Sequence, residues 1–136
     1  MKSAFKKTLN SFSQSLPIII SILLLIGLAI ATIPKEFYAV IFSGNKFLDP
    51  LIGALFGSIS EGNPVTSYIL GGELLKQGVS LLAVTAFLLA WVTVGIIQLP
   101  AESLMLGKKF AIARNSVSFL TAIIAAIFTI ITLSII

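Results

Sequence analysis

The sequence predicts an all-α integral membrane protein that has three transmembrane helices plus one re-entrant helical hairpin, a broken helix. The first observation is composition: 57% of the residues are hydrophobic and 10% are charged, whereas an average soluble domain is about 25% charged. The second is that these few charges separate long apolar runs. A soluble core of 136 residues cannot bury this much apolar surface. We therefore expect residues 1–136 to form a single multi-pass domain in the cell membrane, meaning the inner or plasma membrane.

The N-terminal part of the chain predicts a surface helix followed by the first transmembrane helix. Residues 1–12 place apolar side chains at helical spacing with lysines between them, which is typical of a helix lying on a membrane surface. The first transmembrane helix is expected over 15–34. Ser15 suits its N-cap, Pro17 suits its first turn, and Pro34 ends it.

Two further runs without charge are also long enough to cross a bilayer. They extend over 77–101 and 115–136, and each reaches the roughly 20 apolar residues that span the hydrocarbon core. We expect transmembrane helices at 79–99 and 115–136. Small residues four positions apart predict close helix packing in both, at Ala86 and Ala90 and at Ser118, Ala122 and Ala126, and the first transmembrane helix has the same spacing at Gly27 and Ala31.

A divided segment, residues 47–76, lies between the first and second transmembrane helices. Asp49 and Glu61 enclose one run of eleven uncharged residues, and Glu61 and Glu73 enclose a second. Each run is about 16 Å long as a helix, which is half of a membrane. The segment either enters and returns on the same side as a hairpin, with its tip at Glu61 to Pro64, or crosses once as a broken helix.

The basic residues favour the hairpin and a cytoplasmic N-terminus. The hairpin places six basic residues inside and three outside, whereas a single crossing places four inside and five outside. Positively charged residues are enriched on the cytoplasmic side of membrane proteins. The sequence therefore predicts the re-entrant form and an extracytoplasmic C-terminus.

The tip of the hairpin is the candidate substrate-binding site. Non-helical backbone at membrane depth is tolerated only inside protein or beside a water-filled cavity. Asn63 suits the cap of a helix that starts at Pro64, so we expect free N–H groups and a positive helix end at the tip. Secondary transporters build sites in this way. The predicted substrate-binding residues are Ser58, Ser60, Glu61, Gly62, Asn63, Pro64, Thr66, Ser67 and Thr93.

Glu61 is the candidate proton-coupling residue. A carboxylate at membrane depth is costly and is usually functional, so we expect Glu61 to carry a proton during transport. The alternative is that Glu61 lies at a wetter depth and only caps the second helix of the hairpin.

Four residues of the second half of the chain carry weaker expectations. Thr93 and Gln98 are candidates for the same cavity, although Gln98 also suits a helix end beside Pro100. Trp91 is expected to pack in mid-span. Glu102 is expected to form a solvated ion pair with one of the two neighbouring lysines, Lys108 and Lys109.

The composition excludes several kinds of site. Cysteine and histidine are absent, so disulfides, thiolates and imidazole metal ligands are not available. Catalytic Cys–His and Ser–His arrangements are excluded for the same reason. We expect no enzyme activity, no cofactor and no metal. The net charge of +4 comes from residues that flank apolar runs, which indicates membrane topology rather than nucleic-acid binding.

Residues 57–114 carry a pattern of short motifs. A proline among small polar residues is followed by LKQGVS at 75–80, AFLLA at 86–90 and LGKKFA at 106–111. In these motifs the chain resembles one repeat of the ArsP-type predicted permeases, a family that includes organoarsenical efflux permeases.

Two departures from that family affect what the resemblance implies. Family members carry two such repeats, and this chain has one, so the resemblance implies a half-transporter that works as a homodimer. Arsenical transporters of the family rely on thiols near the proline. This chain has no cysteine, so we do not expect arsenic transport. Fused copies would be inverted relative to each other, which leaves a parallel and an antiparallel dimer open.

The resulting hypothesis is a small homodimeric permease that lies in the lipid bilayer. It would move a small molecule or an ion by alternating access, with its site at the hairpin tip. A channel-like pore with the hairpin as its filter is one alternative. A non-transporting membrane subunit that binds a partner protein is another.

Overall fold

The computed structural model describes residues 2–32, 34–60 and 62–135, and these residues form helices and turns without any β-strand. The all-α part of the predicted fold class is confirmed. Seven helices lie in the described residues: α1 (Lys2–Thr32), α2 (Lys35–Ile41), α3 (Leu48–Ile59), α4 (Pro64–Lys76), α5 (Leu81–Thr93), α6 (Leu99–Leu106) and α7 (Lys108–Ile135). The chain divides into two compact units, Met1–Pro34 and Lys35–Ile136.

The helix of the first unit, α1, is continuous over 31 residues. Over residues 2–32, the predicted surface helix (1–12) and the predicted transmembrane helix (15–34) are therefore parts of one helix. Pro17 lies inside α1, so the predicted helix start at Ser15 is wrong. An interior proline removes one backbone hydrogen bond, and a long helix can continue past it with a kink.

In the second unit, α3 and α5 run parallel with their backbones in contact. A Cβ atom on Gly53 would overlap the carbonyl oxygen of Ala83, and one on Gly57 would overlap the carbonyl oxygen of Phe87. Glycine is the residue that permits this separation, because any side chain would push the two helices apart. The α3–α5 pair is the centre around which the rest of the unit packs.

The next helix, α4, runs antiparallel to α5. Gly62, just before α4, lies beside Trp91 near the end of α5, whereas Gly71 lies beside Val84 and Leu88 in its first half. Since α3 is parallel to α5, α3 and α4 are antiparallel to each other. This up-and-down arrangement is the shape predicted for 47–76, with Ser60, Gly62 and Asn63 as the described residues of its tip, although α3 and α4 pack on α5 rather than on each other.

The predicted transmembrane helix over 79–99 is interrupted. α5 ends at Thr93, Val94 has an extended backbone, and α6 begins only at Leu99. The 13 residues of α5 extend about 20 Å, which is too short for a full span. Among the described residues, two helices are long and apolar enough to cross a membrane, Lys6–Leu25 within α1 and Lys108–Ile135, and the predicted transmembrane helix over 79–99 is not one of them.

Small side chains fill the space between α3, α5 and α7. The central cluster of buried residues consists of Ala54, Ala86, Ala90, Val94, Ala122 and Ala126. The predicted packing role of Ala86, Ala90, Ala122 and Ala126 is therefore confirmed, whereas Gly27 and Ala31 in α1 are exposed. At the start of α5, Val79, Ala83 and Val84 form a second cluster, against which Tyr38 and Phe42 pack.

Candidate functional site

The hairpin tip and the break after α5 meet at a cavity of about 180 Å³, which we call the tip cavity. Its lining comes from the start of α4, the end of α5, the break itself and α7. The lining residues are Gly62, Pro64, Trp91, Val92, Thr93, Val94, Gly95, Gln98 and Arg114. Two interruptions of helical backbone, one in each half of the unit, therefore face the same space.

Asn63 caps α4 as predicted. Its Oδ1 accepts a hydrogen bond from the N–H of Val65 at 2.9 Å. Its carbonyl oxygen accepts from the N–H groups of Thr66 at 3.0 Å and Ser67 at 3.4 Å, and Pro64 has no N–H to offer. The prediction that free N–H groups point into the tip is therefore wrong, because all three of these N–H groups donate hydrogen bonds to Asn63. The positive end of the α4 dipole remains beside the cavity.

Asn115 holds the break after α5 in place. Its side chain is buried and its Oδ1 accepts a hydrogen bond from the backbone N–H of Gly95 at 2.8 Å. Its Nδ2 donates to Glu102 Oε2 and to the carbonyl oxygen of Ala111, both at 3.0 Å. One amide on α7 thus fixes the break, α6 and its own helix together.

Arg114 and Glu102 form an ion pair at the edge of the tip cavity. The side chain of Glu102 is 15% exposed and that of Arg114 is 40% exposed. The predicted pairing of Glu102 with Lys108 or Lys109 is therefore wrong. The chain reverses sharply at Gly107, whose φ of 90° suits glycine, and this turn brings α6 alongside the second turn of α7.

Trp91 packs in the core, as expected, but it also contributes a polar group. Its ring meets that of Phe87 edge to face, with centroids 5.4 Å apart. Its Nε1 is buried and has no hydrogen-bond partner within the described residues. Its ring atoms Cζ2 and Cε2 lie nearest to Gly62, so the indole packs against the backbone at the hairpin tip.

The tip cavity brings together some of the predicted site residues. Gly62, Pro64 and Thr93 line it, as does Gln98. Glu61 lies outside the described residues, so its predicted roles in binding and proton coupling stay predictions.

The other predicted site residues have local roles in the helices. Ser58 is buried in α3, where its hydroxyl donates to the carbonyl oxygen of Ala54 at 2.6 Å. Ser67 is buried in α4, where its hydroxyl donates to the carbonyl oxygen of Pro64 at 2.7 Å. Ser60 ends α3, and Thr66 is half-buried in the first turn of α4. None of these four is among the lining residues of the tip cavity.

A buried carboxylate lies at the other end of the α3–α5 pair. Asp49 is 2% exposed, and its Oδ2 accepts a hydrogen bond from the backbone N–H of Gly44 at 3.0 Å. Its position in the first turn of α3 also suits the positive end of that helix. Asp49 therefore anchors the loop before α3 and takes no part in the tip cavity.

Comparison with protein-family models, with curated proteins and with solved structures finds no match to this chain. The resemblance to ArsP-type permeases therefore stays a prediction, and the geometry of the tip cavity is the basis for a functional assignment.

Proposed function

We propose that this chain is one half of a small homodimeric membrane permease, which moves a small solute or ion by alternating access through the tip cavity. One observation carries this proposal: the breaks of two helical segments face one polar cavity in a strongly apolar chain. Irregular backbone at membrane depth is stable only where protein or a cavity satisfies it. Transporters place substrate sites at such discontinuous helices.

The distribution of helix lengths supports a position in the cell membrane. The span Lys6–Leu25 of α1 and helix α7 have the length and hydropathy of membrane-crossing helices. With 12 and 13 residues, α3 and α4 are each about 20 Å long or less, which suits a hairpin that enters the bilayer and returns. We place the N-terminus in the cytoplasm, following the bias of the basic residues.

The proposed dimer rests on the resemblance to a two-repeat family. One copy contributes one hairpin and one broken segment, and the resemblance to a single repeat of the two-repeat ArsP-type permeases indicates that a second copy supplies the other half. Glu61 precedes a residue of the tip cavity, so we propose that it carries the coupled proton. Replacement by glutamine should then remove the pH dependence of transport.

Access to the tip cavity from water tests the proposal, and the absence of cysteine from the chain makes this test clean. Thr93 lines the cavity, whereas Thr129 lies on the exposed face of α7 that we assign to lipid. Their hydroxyls make the same local contact, donating to the carbonyl four residues earlier at 2.8 Å. Thr93→Cys and Thr129→Cys are therefore matched variants.

We expect a membrane-impermeant thiol reagent to modify Thr93→Cys in both right-side-out and inside-out vesicles, because alternating access opens the site to each side in turn. Thr129→Cys should react in neither. If Thr93→Cys also stays unmodified in both, the tip cavity is closed protein interior and the permease proposal is wrong. Modification from both sides together with rapid, unsaturable ion flux would indicate a channel-like pore instead.

A further inference from the structure

A second cavity opens on the surface of the second unit, and we call it the α6–α7 groove. Its volume is about 450 Å³, and its walls come from α3, the break after α5, the start of α6 and the first half of α7. Its lining residues on α7 are Ile112, Asn115, Ser116, Phe119 and Leu120. Leu55 on α3 is 45% exposed and Leu120 is 59% exposed, so the groove is open along its length. Only Val94 lines both this groove and the tip cavity.

The lining of the α6–α7 groove is largely apolar. Aliphatic side chains and the ring of Phe119 make up most of it. The amide of Asn115 is already engaged with Gly95, Glu102 and Ala111, so it has little capacity left for a ligand. An open apolar groove on a chain that lies in a bilayer is filled by hydrocarbon, and the groove therefore suits an acyl chain.

Two lysines continue the same face of α7 beyond the groove. Residues three and four apart share a helix face, and Lys108 and Lys109 precede Ile112 by four and three residues. Both lysines are exposed, and neither forms an ion pair within the described residues. The chain has no acidic residue after Glu102, which is paired with Arg114. One end of the groove therefore carries two positive charges that no carboxylate of the described residues neutralises.

The distances along α7 match one leaflet of a bilayer. From Lys108 to Leu120 the helix rises about 18 Å, at 1.5 Å per residue. One leaflet contributes about 15 Å of the hydrocarbon core, and its headgroups add several ångströms. The proposed topology places the two lysines on the cytoplasmic side, where the leaflet contains anionic lipids.

We infer that the α6–α7 groove binds one anionic phospholipid of the cytoplasmic leaflet, with its headgroup phosphate at Lys108 and Lys109 and one acyl chain in the groove. A zwitterionic lipid offers the same acyl chain, but its own amine balances the phosphate charge, so the lysines favour the anionic lipid. Basic pockets between membrane helices on this side are known to bind such headgroups. The inference uses the membrane position in the proposed function, but it requires neither the tip cavity nor transport.

Native mass spectrometry of the full chain in detergent tests the inference, because it counts bound lipids and reports the oligomeric state. The chain is titrated with phosphatidylglycerol, with phosphatidylcholine of the same acyl chains, and with water-soluble glycerol phosphate. We expect one phosphatidylglycerol to bind saturably to each chain, about 25-fold more tightly than phosphatidylcholine, from about fivefold for each lysine. Equal affinity for the two lipids, or binding of glycerol phosphate as tight as that of phosphatidylglycerol, would overturn the inference.

Two pairs of variants test the two parts of the site. Lys108→Gln and Lys109→Gln together should reduce phosphatidylglycerol binding to the level of phosphatidylcholine. Their control is Lys46→Gln, at an exposed position before α3 and outside the groove, which should bind as the natural chain does. Ser116→Trp places a large ring in the middle of the groove and should abolish saturable binding of both lipids. Its matched control is Val117→Trp, at the next residue, which is 59% exposed and outside the groove lining.

The outcomes separate this inference from the proposed function. Lipid binding that the lysine and Ser116→Trp variants retain, or that the controls lose equally, shows a nonspecific lipid shell and overturns the inference. If no lipid binds and Ser116→Trp converts a dimer to a monomer, a second copy fills the groove and the inference is wrong. If the lipid binds with the expected variant pattern but Thr93→Cys is inaccessible, the lipid site stands and the transport proposal is wrong. If Thr93→Cys is accessible from both sides but the two lipids bind equally, the permease stands and the lipid site is wrong.

Discussion

The side chain of Asn115 accepts a hydrogen bond from the backbone N–H of Gly95 at 2.8 Å, twenty residues away along the chain. This contact supplies a partner for the backbone at the point where α5 stops being a helix. An unpaired backbone group in a buried place is costly, so the break and the buried asparagine depend on each other. The position of α6, and with it one wall of the tip cavity, follows from this pair.

Replacing Asn115 by leucine should destabilise the fold. The substitution keeps a similar volume but leaves the Gly95 N–H unpaired and removes the hydrogen bond to Glu102. An unsatisfied buried polar group costs about 1–3 kcal/mol, and we expect a loss of ~2 kcal/mol in the free energy of unfolding. Unfolding by SDS in mixed micelles measures it. Ser116→Ala, at the exposed neighbouring position, should change stability by less than ~0.5 kcal/mol; equal stabilities of the two variants would contradict the role of Asn115.

The close contact between α3 and α5 leads to a second prediction. Gly57→Ala should destabilise the protein strongly, because the new Cβ would overlap the carbonyl oxygen of Phe87 and the helices would have to separate. Overpacking of this kind costs about 1–3 kcal/mol.

Gly72→Ala is the matched control for this substitution. It is also a helical glycine, but nothing lies within 4 Å of the added Cβ, so alanine should stabilise α4 by about 0.5–1 kcal/mol through its better helix propensity. The same unfolding measurement compares the two. A destabilised Gly72→Ala with an unaffected Gly57→Ala would show that the α3–α5 contact is not the centre of the unit.

Local sequence patterns predict the hairpin well, but they predict the break after α5 poorly. The Asn63–Pro64 pair contains both the cap and the first residue of α4, so this helix start is readable from two adjacent residues. The G-x-x-x-G spacing of Gly53 and Gly57 follows the same rule as the alanine pairs and signals the tight α3–α5 contact. In contrast, residues 77–101 form an uninterrupted uncharged run, in which Gly95 is the only glycine or proline between Gly78 and Pro100.

The parts that sequence alone does not predict depend on contacts between distant residues. The end of α5 requires the amide of Asn115, and the pairing of Glu102 requires the turn at Gly107. Trp91 has an apolar body and one polar atom, so an apolar run predicts its packing but not its unpaired N–H. Tertiary structure decides each of these features, and together they form the tip cavity.

The antiparallel arrangement of α3 and α4 predicts which residues share a side of the membrane. Lys46 precedes α3, Lys76 ends α4, and Lys108 begins α7, and all three are exposed. A hairpin that enters and returns places Lys46 and Lys76 on one side. Gly95 meets Asn115 in the early part of α7, so Lys108 lies toward the opposite end of the unit.

Single cysteines at these three positions, treated with an impermeant thiol reagent from either side of intact membranes, test this arrangement. We expect Lys46→Cys and Lys76→Cys to react from the outside and Lys108→Cys from the cytoplasmic side. If Lys76→Cys reacts together with Lys108→Cys, the divided segment crosses the membrane once, because its two ends then lie on opposite sides. If every position reacts from both sides, the chain inserts in both orientations, and the two halves of the permease are then antiparallel copies related as the inverted repeats of larger transporters are.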